Sequence, residues 1–286
     1  MPKFNLTDEQ IDQIVTVVSG MTDEKLTPNE ARQLTPAEFQ MERGRWTVKE
    51  LNCIGCHIVE AQGGAVRATG IATGMEPPML SGTPTQLHQG QRTQPDWLFQ
   101  FIKAPQTGQI RPWLHVRMPT FGLTDGEANV LVKYFALQGE AQFPYQSPKI
   151  DMTPEHLAAG KQLFEQLKCA LCHIVDGKAL GKPLAEIPEE DLPRLAPNLS
   201  QAHLRLQRDW LVNKWLVEPL AQQPGTRMPQ FEYGTAIAPN ILGGDGRKQI
   251  EALVDYVLTL GTHEEVAQVA PAPAPVAAPA QPQAQP

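Results

Sequence analysis

Apolar residues recur at helical spacing along most of this chain, and segments rich in glycine, proline and polar residues separate them. From about Thr7, with Asp8 and Glu9 in the first turn, Ile11, Ile14, Val15 and Val18 fall on one face of a helix. Thr35-Pro36-Ala37-Glu38 reads as a helix start: Thr35 is the N-cap, proline takes the first helical position, and Glu38 follows three residues after the cap. That helix carries Gly44 and Val48 and runs towards Cys53. A short helix is expected from Trp97 to Lys103. A longer one runs from Asp125 to Leu137, with Asp125 and Glu127 in its first turn and Gly139 beyond its end. Thr153-Pro154-Glu155 caps a further helix containing Gly160 and Phe164, much as Thr35-Pro36 does earlier. The last helix carries Leu253, Val254 and Tyr256. The fold class expected is all-α.

The order of these elements repeats. A helix with a central glycine leads to Cys-x-x-Cys-His, then a loop, then Met-Pro-x-Phe, then an apolar helix in which Leu131, Val132 and Tyr134 align with Leu253, Val254 and Tyr256. Self-similarity at this length marks a tandem duplication. The copies differ mainly in loop length, 61 positions from His57 to Met118 against 55 from His173 to Met228. The opening Met1-Pro2-Lys3-Phe4-Asn5-Leu6-Thr7-Asp8 also matches Met118 to Asp125 at Met, Pro, Phe, Leu, Thr and Asp. It is expected to be the end of a truncated further repeat. The expected organisation is a partial module over 1–25, a linker over 26–35, a module over 36–140, a linker over 141–152 and a second module over 153–262. The Ala/Pro-rich stretch 263–286 cannot bury enough surface to fold and reads as a disordered, extended tail.

Chemistry enters with Cys53-Ile54-Gly55-Cys56-His57 and Cys169-Ala170-Leu171-Cys172-His173, which use all four cysteines. Cys-x-x-Cys-His is the attachment signature of c-type haem. Two thiols about one helical turn apart can each add to a vinyl group on one haem edge, and the histidine is carried under the iron as proximal ligand. Two covalently attached haem c groups are therefore expected. A shared zinc site would ignore the histidine after each pair. Thioredoxin-like chemistry would need a strand before the motif, whereas both motifs end a helical pattern.

On these residues both modules resemble class I cytochrome c domains. The likeness is carried by Gly44 or Gly160 in the first helix, the Cys-x-x-Cys-His, the Met-Pro-x-Phe and the apolar helix with Tyr134 or Tyr256. The resemblance implies that the first and last helices cross at the glycine. It also implies that Met118 and Met228 supply the sixth iron ligand, although a methionine at either place also suits a core. Pro78 and Pro197 stand where a carbonyl accepts a hydrogen bond from the proximal imidazole. A neutral thioether favours ferrous iron and raises the potential, and filled axial positions suit outer-sphere electron transfer. Arg117 and Arg227 fit either haem propionates or a solvated loop. Trp97 and Trp210 fit either the core or a propionate-facing donor. His115 lies three residues before Met118, but the second module has Gly225 there, so a surface or core role is preferred. The Trp-Leu followed by Arg-Met-Pro-x-Phe-Gly-Leu-Thr-Asp is similar to multihaem cytochrome subunits of bacterial respiratory complexes.

A net charge of −7 and a pI near 5.5 argue against nucleic acid and leave basic faces of redox partner proteins as docking surfaces. Only 6% of the residues are aromatic, so haem would supply much of the apolar bulk. No run of 18 or more apolar residues marks a membrane span, and six prolines between Val266 and Pro286 rule out a regular helix there. The N-terminus has no secretory h-region. Because haem c is attached outside the cytoplasmic membrane, a periplasmic location is expected. Either an export signal has been removed or the chain starts inside a longer protein. The expected function is single-electron transfer beside a quinol-oxidising respiratory complex, with no substrate chemistry of its own. The alternative is a dihaem peroxidase-like enzyme, which needs an open or displaceable distal site. A Met-Pro-x-Phe in both modules speaks against it.

Overall fold

The structure, a computed structural model, describes residues 6–20, 33–66, 88–106, 110–111 and 118–262. The expectations for Met1 to Asn5, Pro78, His115, Arg117 and the 263–286 tail lie outside the described residues. The chain divides into two compact units, 1–39 and 40–286.

In the first unit, helix α1 (Asp8–Gly20) begins where expected. Thr7 and Gln10 cap it reciprocally, the Gln10 N–H donating to Thr7 Oγ1 at 3.3 Å and the Thr7 N–H to Gln10 Oε1 at 2.9 Å. Ile11, Ile14, Val15 and Val18 on its apolar face are exposed. Thr35 and Glu38 form the predicted box at the start of α2 (Pro36–Glu50), with the Thr35 N–H donating to Glu38 Oε2 at 2.8 Å.

The second unit contains both haem motifs. In the first module, Cys53–Gly55 forms a 3-10 turn, followed by a two-residue hairpin of β1 (Ile58–Val59) and β2 (Gln62–Gly63). Then come α3 (Gln89–Arg92), α4 (Pro95–Lys103) and α5 (Asp125–Gln138). The second module repeats the order with α6 (Pro154–Gln166), a 3-10 turn at Cys169–Leu171 and a hairpin of β3 (Lys178–Ala179) and β4 (Lys182–Pro183). There follow α7 (Ala202–Arg205), α8 (Arg208–Trp210), a π turn over Leu211–Trp215, α9 (Pro219–Gln222) and α10 (Gly246–Thr259).

Thr124 and Glu127 close a capping box on α5. Thr153 does not do the same for α6, because the residue three positions on is His156. Its N–H donates instead to Asp151 Oδ1 at 3.0 Å. The hairpins are not marked by any apolar period, and they depend on the haem motifs. The Gly64 N–H donates to the Ile54 carbonyl at 2.8 Å and the Leu180 N–H to the Ala170 carbonyl at 3.1 Å. Ile54 and Ala170 occupy the same place in the two motifs, so each loop is pinned to the same carbonyl.

In each module the first and last helices cross at glycine. A Cβ on Gly160 would sit 2.1 Å from the Ala252 carbonyl oxygen, and one on Gly44 would sit 2.2 Å from Tyr134 Cβ. Around these crossings lie Leu163, Ile250, Leu253 and Val254 in the second module and Val48, Leu131, Val132 and Tyr134 in the first, all buried. Phe164 meets Tyr256 edge-on with ring centroids 5.5 Å apart.

One buried charge joins three helices of the second module. Asp255, fully buried on α10, accepts hydrogen bonds from Arg208 Nε and Nη2 at 2.5 and 2.9 Å and pairs with His156 Nε2 at 2.9 Å. The pairing with Asp255 raises the Arg208 pKa. Asp255→Ala leaves Arg208 without its counter-ion in a largely buried place. The expected loss is about 3–5 kcal/mol of stability, measurable by urea unfolding of the holoprotein.

The modules join along a near-symmetric seam. Thr93 and Leu206 form an antiparallel bridge, with the Gln94 N–H donating to the Arg205 carbonyl at 2.8 Å and the Gln207 N–H to the Arg92 carbonyl at 2.9 Å. The Gln94 side-chain amide donates to the His203 and Leu206 carbonyls, and that of Gln207 to the Gly90 and Thr93 carbonyls.

Candidate functional site

The two motifs adopt one backbone form. Asn52 and Lys168, both in the left-handed region with φ near 51 and 55°, turn the chain out of the preceding helix into a 3-10 turn. The His57 N–H then donates to the Cys53 carbonyl at 2.8 Å, and the His173 N–H to the Cys169 carbonyl at 2.9 Å. This return bond closes each pentapeptide into a single turn with both cysteines and the histidine on a short arc. Burial pushes the Cys53 thiol up and the Cys169 thiol up to about 11. A redox-active Cys-x-x-Cys needs the opposite shift.

In the second module the chain returns alongside the motif. The Ala196 N–H donates to the Cys172 carbonyl at 2.8 Å and the Leu199 N–H to the Ile174 carbonyl at 2.9 Å. This pairing places the Pro197 carbonyl 2.9 Å from His173 Nδ1. A carbonyl can only accept, so Nδ1 carries the proton and Nε2 keeps its lone pair. Burial, with smaller contributions from the Arg111 and Arg205 charges, lowers the His173 pKa and holds the ring neutral. Cys169, His173, Pro197 and Met228 all line one mostly apolar cavity, walled by Phe164, Leu199, Leu206, Trp215 and Leu253 among others. Trp210 also reaches this wall, but its indole N–H donates to Gln222 Oε1 at 3.3 Å, which leaves Trp210 with the core role. Trp97 is half-buried and stacks on Phe101 with centroids 4.8 Å apart.

In the first module Cys53, Ile54 and Met118 pack against the same core as Val48, Leu98 and Leu131. The Met118 carbonyl accepts from Gln106 Nε2 at 2.7 Å, which fixes the loop just before Pro119. The sequence model of one family, Cytochrome c, matches residues 41–136 and again 157–261, together more than half of the chain. The chain belongs to the cytochrome c family. No curated protein and no solved structure matches it.

Cytochrome c domains bind haem c covalently, and this chain has two such domains in tandem. The second module's cavity suits that group: the Cys169 thiol, a neutral imidazole with a free Nε2, a thioether and an apolar wall all meet in it. Among the described residues no three His, Cys, Asp or Glu side chains are grouped to hold a bare metal ion. No helix among them is long and apolar enough to cross a membrane. In this cytochrome c the two alternatives for Arg227 can be set against its exposure. Arg227 is exposed and does not line the cavity, which fits the solvated-loop alternative, whereas Arg92 and Arg205 do line it. Their sequence signal is the repeat itself: Arg92-Thr93-Gln94-Pro95-Asp96-Trp97-Leu98 and Arg205-Leu206-Gln207-Arg208-Asp209-Trp210-Leu211 share Arg, Gln, Asp, Trp and Leu in register.

Proposed function

We propose that the chain is a dihaem electron carrier with one haem c in each of two modules, over 36–140 and 153–262. In this reading Cys53 and Cys56 tether the first haem between His57 and Met118, and Cys169 and Cys172 tether the second between His173 and Met228. Pro78 has the same role for His57 that Pro197 has for His173. The observation that carries the reading is the His173 Nδ1 to Pro197 oxygen contact of 2.9 Å, because it leaves Nε2 free in the cavity that Met228 also lines. The haem supplies one-electron chemistry. The chain's part would be to bury it, offer the His57, Met118, His173 and Met228 side chains to its iron and keep the site from rearranging on reduction.

The partners in this reading are other redox proteins outside the cytoplasmic membrane, with a quinol-oxidising respiratory complex as electron source. The net charge of −7 suits docking to basic faces. A dihaem peroxidase would need one open iron, and the methionines speak against it.

The test is spectroscopic. The exported, haem-loaded protein should contain two haem c per chain, be low-spin in the ferric state, and bind cyanide slowly or not at all. A high-spin fraction that takes up cyanide or peroxide rapidly would overturn the carrier reading in favour of the enzyme. Replacing one thioether should act locally. Met118→His is expected to lower one potential by on the order of 0.1–0.3 V, within the roughly 0.8 V that axial ligands span, and leave the other almost unmoved. A redox titration followed by absorption separates the two.

A further inference from the structure

The second module's cavity has a cationic end where it meets the seam. Arg92, from α3 of the first module, and Arg205, from α7 of the second, line it together with His173 and Pro197. Arg111, also from the first module, is near enough that its charge acts on both His173 and Arg205.

The Nε atoms of Arg92 and Arg205 are buried with no hydrogen-bond partner. The Arg205 residue as a whole is only 8% exposed. The guanidinium contacts that do exist are neutral: Arg92 Nη2 donates to Gln89 Oε1 at 2.6 Å, and Arg205 lies 5.9 Å from the centre of the Trp97 ring. Among the described residues, neither forms an ion pair with an Asp or Glu. Burial lowers the pKa of Arg92 and Arg111 to about 10. Burial and the other two arginines bring Arg205 to about 9.

Buried like charges without a counter-ion destabilise a fold. This chain is acidic, yet it places no carboxylate against Arg92 or Arg205 among the described residues. An anion seated in the cavity would fit them. A haem seated on Cys169 and Cys172 brings two propionate carboxylates, and a planar guanidinium pairs with a carboxylate through two parallel N–H···O bonds.

We propose that Arg92 reaches across the seam from the first module to hold a propionate of the second module's haem, with Arg205 as its partner from the second module. This rests on the haem reading above and adds a residue from outside the module that tethers the haem. The seam itself gives the reason for Arg92 standing there: with Thr93 opposite Leu206, the Gln207 N–H bond to the Arg92 carbonyl and the Gln94 N–H bond to the Arg205 carbonyl hold the two arginines as diagonal neighbours across the bridge. A positive charge beside the second haem favours its ferrous state, so the potential of that haem is set in part by the first module.

The test uses the full haem-loaded chain carrying Met118→His, which displaces the first haem's potential and labels it. Adding Arg92→Gln should lower the potential of the second haem and leave the labelled wave where it was. Arg92→Lys, which keeps the charge but not the fork, should restore most of the potential. It should still shift the infrared carboxylate band of the second haem when the propionates are labelled with carbon-13. Two haems per chain with an unmoved second potential in Arg92→Gln would overturn the proposal and leave the haem reading intact. Should Arg92→Gln fail to fold, an unchanged propionate band in Arg92→Lys overturns it equally. A second motif that takes up no haem in the parent protein would defeat the haem reading itself, and the proposal with it.

Discussion

His173→Ala is expected to abolish low-spin ligation in the second module while the first keeps its spectrum. The backbone arc that carries His173 does not depend on its ring, because the N–H bond to the Cys169 carbonyl survives the change. Cys169 and Cys172 remain to tether the haem. What disappears is the neutral imidazole and its bond to the Pro197 carbonyl, 2.9 Å away. On the proposed ligation the iron would keep at most the thioether of Met228, a weak ligand alone, and would become high-spin and open to cyanide. The orphaned carbonyl adds roughly 1–3 kcal/mol of destabilisation where it stays dry. Absorption and magnetic circular dichroism of the ferric protein should show one low-spin haem left of two. The converse change, His57→Ala, should spare the second haem. If either substitution removed both low-spin signals, the modules would not be independent ligand fields, and the division into two haem sites would have to be redrawn.

Legibility in the sequence follows the range over which each feature is determined. Cysteine addition and proximal ligation need five consecutive residues, so both motifs stand out in the chain, and the 3-10 turns at Cys53–Gly55 and Cys169–Leu171 are the shape that spacing takes. Capping is nearly as local. Thr35 with Glu38 is readable because the reciprocal bonds span three residues, and Thr124 with Glu127 closes a box of the same kind. Thr153 lacks such a partner, because His156 stands where the box needs Glu or Gln. Tandem repetition extended this local information, since Gly44 and Tyr134 could be matched to Gly160 and Tyr256, and their contacts now coincide at the two helix crossings. What lay hidden depends on distant partners. Two-residue strands are too short to show a period. Asp255 reads as one more charge on α10, beside Arg247, Lys248 and Glu251, until His156 and Arg208 meet it. The seam pairs Arg92-Thr93-Gln94 with Arg205-Leu206-Gln207, more than a hundred positions away, and no pattern within either segment reveals the other. Their shared Arg-x-Gln-x-Asp-Trp-Leu was nonetheless visible in the sequence. Arg227, next to Met228 in the chain, is exposed.

A large stability effect should come from the helix crossing as well. Gly160→Val would place a Cβ 2.1 Å from the Ala252 carbonyl oxygen and 2.7 Å from Tyr256 Cβ. Neither obstacle is a flexible side-chain end. The first is backbone in the middle of α10, and moving it breaks the hydrogen bond that oxygen accepts in the helix. The alternative is for α6 and α10 to part by an ångström or more, which opens gaps around Leu163, Phe164 and Leu253, all buried at the same face. Overpacking a core commonly costs 1–3 kcal/mol, and a clash with backbone on one side and the base of a side chain on the other should exceed about 3 kcal/mol. Gly44→Val meets Tyr134 at its Cβ, and that residue is only 1% exposed and cannot swing away, so the first module should suffer comparably. Gly126 on α5 provides the control: it is exposed, and the nearest atom to an added Cβ is Thr124 Oγ1 at 3.9 Å. Gly126→Ala should change stability by less than about 1 kcal/mol, with the sign of a helix-propensity gain. Urea unfolding monitored in the haem bands and in the far ultraviolet would compare all three. The glycine at the crossing also holds α6, and therefore the Lys168 turn and Cys169 that follow it, at a fixed distance from α10. Loss of haem from the second module in Gly160→Val, with the first module still loaded, is the expected companion of the lost stability. A Gly160→Val protein as stable and as fully loaded as its parent would show that the two helices do not meet at this residue.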